Sequence, residues 1–139
     1  MKIWNLESHA CVRTLGGHSD SVRCVATARA SDGSLLILSG LVDRTVKVWS
    51  FASGACLRTL EGHFGAVSGL ASFVGSSDGE TYIVSASWDK TVKLWALSSG
   101  ACVRTLKEHT DWVRCVVAFV GADGKPRIAS GSHDSSVKV

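Results

Sequence analysis

The sequence is poor in several things, and each shortage removes a class of protein. Only one proline stands among 139 residues, beside fourteen glycines, which fits many short strands joined by tight turns. No apolar run approaches the roughly 20 residues that a membrane-spanning helix needs. The opening Met1-Lys-Ile-Trp-Asn-Leu-Glu7 has no apolar stretch of the kind a signal peptide requires. The expected location is therefore intracellular, by default the cytoplasm, with no membrane partner. The formal net charge is only +3, and the lysines and arginines are spread along the chain, which speaks against a nucleic-acid partner. None of the five cysteines forms a Cys-x-x-Cys pair, which argues against a structural zinc site, and the odd count argues against a complete disulfide framework. Cys11, Cys24, Cys56, Cys102 and Cys115 are expected as reduced, buried thiols. Phosphate loops and dinucleotide fingerprints are also missing, so no cofactor and no metal are expected.

What the sequence has is a repeat. His18, His63 and His109 are separated by 45 and 46 residues, and Trp4, Trp49 and Trp95 by 45 and 46. Asp43, Asp89 and Asp134 are separated by 46 and 45. Cys11-Val-Arg-Thr-Leu15 returns as Cys56-Leu-Arg-Thr-Leu60 and Cys102-Val-Arg-Thr-Leu106. Arg44-Thr-Val-Lys-Val-Trp49 returns as Lys90-Thr-Val-Lys-Leu-Trp95 and as Ser135-Ser-Val-Lys-Val139.

Each period reads as four short strands. In the first they lie near 11–15, 22–28, 35–39 and 45–49, where β-branched and apolar residues alternate with polar ones between turn signals. Helical periodicity of useful length is absent. The expected fold is all-β, with residues 1–139 as one segment of repeat units at about 5–49, 50–95 and 96–139. Residues 1–4 read as the end of a preceding blade's last strand.

With this period and its Gly-His and Trp anchors, the chain resembles the WD-repeat β-propellers over its whole length. The resemblance implies a β-propeller of four-stranded antiparallel blades, three per chain. The pairs Gly17-His18 and Gly62-His63 match the family pattern, whereas the third is Glu108-His109. The residue after tryptophan, usually Asp in the family, is Asn5, Ser50 or Ala96.

The resemblance also implies a buried hydrogen-bond network in each blade, from indole to serine to histidine to aspartate. The sets are His18, Ser39, Asp43, Trp49; then His63, Ser85, Asp89, Trp95; then His109, Ser130, Asp134. Trp4 is the tryptophan that the third set lacks. Ser, His and Asp together also suggest a hydrolase. Against that, the set occurs three times and no serine sits in a Gly-x-Ser-x-Gly elbow. The chain is therefore read as non-catalytic.

By the same resemblance, partners bind at one rim. The matching positions are Ser21, Arg23 and Val42, then Ala66, Ser68 and Trp88, then Trp112, Arg114 and His133. Trp and Arg are frequent interface anchors, and neither Trp88 nor Trp112 occupies the repeated tryptophan position. Arg23 and Arg114 suit acidic or phosphorylated peptides, or else pair with Asp20 and Asp111. His9, outside the network, is expected on the surface. The function expected is a protein- or peptide-binding scaffold. Its rivals are a structural ring without ligand and a piece of a longer propeller. Propellers close with roughly 4–8 blades, so three leave two apolar faces open. Closure by homo-oligomerisation follows, as a six-bladed dimer or a nine-bladed trimer, with Trp4 of one copy beside His109, Ser130 and Asp134 of another.

Overall fold

A computed structural model describes residues 1–139. The chain is all-β, with thirteen strands in four antiparallel sheets and no helix. Strands β3 (Val22–Arg29), β4 (Leu35–Leu41), β5 (Val46–Ser50) and β6 (Cys56–Leu60) form the first full blade. Strands β7 (Val67–Val74), β8 (Thr81–Ser87), β9 (Val92–Ala96) and β10 (Cys102–Leu106) form the second. The third has three strands, β11 (Val113–Val120), β12 (Pro126–Ser132) and β13 (Val137–Lys138). Two further strands, β1 (Lys2–Trp4) and β2 (Cys11–Thr14), pair only with each other.

Each sheet is offset from the sequence period. The Cys-x-Arg-Thr-Leu strand at 56–60 pairs with β5, so it is the outer strand of the blade that precedes its repeat partner in sequence. The long inner strands β3, β7 and β11 lie side by side and bring successive blades face to face.

The turn between the second and third strands of each blade recurs in detail. Asp43, Asp89 and Asp134 each accept the backbone N–H two residues on, at 3.0, 2.9 and 3.0 Å. This Asx-type bond turns the chain, and the next residue, Arg44, Lys90 or Ser135, takes the left-handed conformation with φ of 64–75°. The same aspartate thus serves the turn and stays aimed at the histidine loop.

The main core fills the space between the two full blades. Leu36, Leu38, Val46, Val48 and Leu60 of the first meet Val67, Leu70, Ile83 and Trp95 of the second. Approach is close: a Cβ on Gly40 would stand 2.6 Å from Val67 Cγ1 and 2.5 Å from Cys24 Sγ. A smaller core of Val84, Ala86, Val92 and Val113 joins the second blade to the third.

The cysteines correct a sequence expectation. All five are free, but only Cys24 is partly covered, and Cys11, Cys56, Cys102 and Cys115 are exposed. Three of the four stand at the first position of the outer strands β2, β6 and β10, where the sheet edge faces solvent.

Candidate functional site

The second blade carries the complete polar network. Trp95 donates its indole N–H to Ser85 Oγ at 2.8 Å, and Ser85 lies 2.7 Å from His63 Nε2. His63 Nδ1 is 2.7 Å from Asp89 Oδ2, which also accepts the Phe64 N–H at 2.9 Å. A neutral imidazole satisfies every group: indole to hydroxyl, hydroxyl to Nε2, Nδ1–H to carboxylate. Burial pushes the Asp89 carboxyl up, but the bonds from His63, Thr91 and the Phe64 N–H outweigh it and hold it well below the usual carboxylate range.

In the third blade His109 bridges Ser130 at 2.9 Å and Asp134 at 2.7 Å. The hydroxyl of Ser136, then the contacts of His109 and the Thr110 N–H, keep Asp134 low as well. Ser130 Oγ receives no indole, because Trp4 is 55% exposed on the β1–β2 hairpin. The meeting expected between Trp4 of one copy and His109, Ser130 and Asp134 of another lies outside a single chain.

The first blade departs from the expected pattern. Trp49 donates to Ser39 at 2.9 Å and His18 Nε2 lies 3.2 Å from Ser39, but His18 makes no bond to Asp43. The Ser19 hydroxyl donates to Asp43 instead. The imidazole lies tilted over the Trp49 ring, with centroids 4.5 Å apart, against 6.0 Å for His63 and Trp95. His18 titrates low, through partial burial and then the nearby Met1 ammonium and Lys47, which together outweigh the Asp43 charge. Ser39, Ser85 and Ser130 are all buried, so none of these hydroxyls is presented to a substrate.

The rim is a different kind of site. Backbone bonds Val42 to Ser21, Trp88 to Ala66 and His133 to Trp112, at 2.9–3.0 Å, set two side-chain positions of each blade at one edge. Across blades these positions build a stack. The Arg23 guanidinium lies 4.6 Å from the Trp88 ring centroid, Trp88 stacks on Trp112 at 4.8 Å and 12°, and Trp112 stacks on His133 at 5.7 Å. Arg114 flanks Trp88 at 5.8 Å. Trp112 is 40% exposed, and the indole N–H of half-buried Trp88 is itself buried and has no partner.

Two expectations for the arginines separate here. Asp20 and Asp111 accept the N–H groups of Ser21 and Trp112, and neither forms an ion pair with Arg23 or Arg114. Of the other expected contact positions, Ala66 is buried, and half-buried Ser68 donates its hydroxyl to the Val113 carbonyl of the next blade. Ser21 stays exposed, Val42 is half-buried, and His9 lies at the surface.

The sequence reading gave no role to the arginine of Cys-x-Arg-Thr-Leu, although it recurs at 13, 58 and 104. Arg13 donates to the carbonyls of Ala52 and Ser53 at 2.9 and 3.0 Å. Arg58 donates to those of Ser98 and Ser99 at 3.0 and 2.9 Å. Each fork thereby fastens one blade's outer strand to the hairpin of the next. Recurrence at fixed spacing was the available signal, but the receiving carbonyls carry no side-chain signature.

No three His, Cys, Asp or Glu side chains gather as a metal ion would require. No helix is long and apolar enough to cross a membrane. The family model for the WD domain, G-beta repeat, matches residues 9–50, 54–96 and 100–139. None of the curated proteins matches the chain.

Proposed function

The chain belongs to the WD40 repeat family, whose members are in general non-catalytic scaffolds for proteins and peptides, and on that premise we propose that it binds a peptide-like partner on the rim built by Arg23, Trp88, Trp112, Arg114 and His133. The observation that carries this is the stack itself. It runs through three blades and keeps Trp112 open to solvent. An aromatic surface held rigid by its neighbours loses little entropy on binding. A guanidinium lying over an indole keeps its N–H edge free, which suits a carboxylate or phosphate on the partner. The reading includes no catalytic step, since the three serines are buried in structural bonds.

Selection from a displayed random-peptide library tests this, with the native protein and a Trp112→Ala variant as baits. Acidic or phosphate-bearing sequences enriched on the native protein and lost on the variant are expected. Equal enrichment on both would remove the rim from the account.

We infer further that copies of the chain close the ring, as a dimer of six blades or a trimer of nine. Supporting this, β1–β2 has the register of an outer strand pair, with Lys2 opposite Thr14 as Lys47 is opposite Thr59. The third blade has inner strands β11 and β12 but no outer strand. Joining the two requires only that β13, two residues long, give way to β1 of another copy. Trp4 then reaches Ser130.

A further inference from the structure

We propose that Arg104 and Leu6 form the specific contact between copies: the Arg104 guanidinium clamps the carbonyls of Glu7 and Ser8 in the first hairpin of a second copy, and Leu6 of that hairpin seals the seam beside Arg104. The proposal rests on the reading that copies close the ring, and it names the residues that make the closure specific.

Three hairpins in the chain are built alike. In those joining β5 to β6 and β9 to β10, Ser50 and Ala96 donate backbone N–H groups to Ala55 and Ala101 at 2.9 and 3.0 Å. Asn5 donates to Ala10 at 2.9 Å in the hairpin joining β1 to β2. Gly54, Gly100 and His9 hold the same left-handed position, with φ of 75°, 74° and 55°. Within this frame Glu7 and Ser8 correspond to Ala52 and Ser53, and to Ser98 and Ser99. Those are the residues whose carbonyls Arg13 and Arg58 grip. Arg104 is the third arginine of the series. It is exposed, and its guanidinium makes no hydrogen bond or ion pair within the chain.

The apolar surfaces tell the same story. Leu60 and Leu106 are equivalent, yet Leu60 is 3% exposed and Leu106 is 36%. Leu60 is covered because Trp95 and Leu97 of the following blade pack over the first core. Around Leu106 there is instead a cavity of about 260 Å³, walled by Phe73, Val84, Val92, Leu94 and Ile128. These match residues of the first core position by position, Ala28, Leu38, Val46, Val48 and Ile83. The counterparts of the missing Trp95 and Leu97 are Trp4 and Leu6, and Leu6 is 87% exposed in the single chain.

A second copy's hairpin therefore offers the aromatic, the leucine and the pair of carbonyls that this seam lacks. A bidentate guanidinium suits two adjacent carbonyls, whereas a lysine offers one point of charge.

Sedimentation equilibrium of the full chain tests the contact, comparing wild type with Arg104→Ala, Arg104→Lys and Leu6→Asp. Arg104 and Leu6 are solvent-exposed in the single chain, so their substitution leaves its fold intact by circular dichroism. An assembling wild type, with Arg104→Ala and Leu6→Asp each dissociating at about tenfold or higher concentration, is the expected result. Arg104→Lys is expected to restore only part of the association. If wild type assembles and both variants assemble equally well, the contact is wrong while closure by copies stands. If wild type is a single chain at every concentration, closure itself fails and takes the contact with it. Loss of β-structure in either variant also overturns the proposal, because the residue would then serve the single chain.

Discussion

The polar residues divide by whether a neighbour completes them. Asp89 holds His63 and the Phe64 N–H, so Asp89→Ala leaves a buried imidazole donor without an acceptor, and a stability loss of about 1–3 kcal/mol in urea unfolding is expected. Asp43→Ala costs less, because His18 does not bond to Asp43 and only Ser19 and Thr45 lose an acceptor. The depressed Asp89 carboxyl contributes stability that is fully present above the ordinary carboxylate range and is lost as pH falls through and below it. His18, also held low, adds a component with the same sign at higher pH. Its stabilisation is present above about 6.5 and declines as the medium acidifies below that value. Urea midpoints that stay flat from pH 7 to 3 would contradict both assignments. Burial pushes the Cys24 thiol up to about 11, while four other thiols are exposed. Native-state alkylation is accordingly expected to leave Cys24 last.

The strands themselves were legible. Alternation of apolar and polar residues placed those of the first repeat to within one or two residues of β2 to β5, because period-two patterning acts locally. Their grouping into sheets was not legible: nothing local tells Cys56–Leu60 to join the blade before it rather than the one after. The network was readable from spacing, yet its failure at His18 was not, since the competing Ser19 hydroxyl lies outside the repeated pattern. The rim stack depends on Trp88 and Trp112 coming from adjacent blades, a contact between residues that share no sequence motif. Blade spacing has its own test. Gly40→Ala forces a methyl group into Val67 and Cys24, and a loss of about 1–3 kcal/mol is expected from chemical denaturation. Equal stability of this variant would mean that the two blades sit farther apart than described.

At the scale of the whole chain two sheets are smaller than the four-stranded blades, the pair β1–β2 and the three-stranded third blade, and the proposed ring joins them. Val117, Val120, Val137 and Val139 are exposed on the third blade. An exposed apolar face of this kind favours association, and head-to-tail contacts close a ring when the rotation per copy permits it. Cys115 reports on the closure. It is equivalent to Cys24, whose thiol points at the Val67 carbonyl of the next blade, but its own next blade is missing. Cys115 is thus expected to alkylate readily in dilute protein and to become protected, as Cys24 is, when the concentration rises. Solution mass by light scattering after size exclusion, across a concentration series, tests the closed ring most directly. The account predicts about twice or three times the 14.7 kDa of one chain. A folded species that stays at 14.7 kDa throughout would contradict it and assign the open faces to something other than copies of this chain.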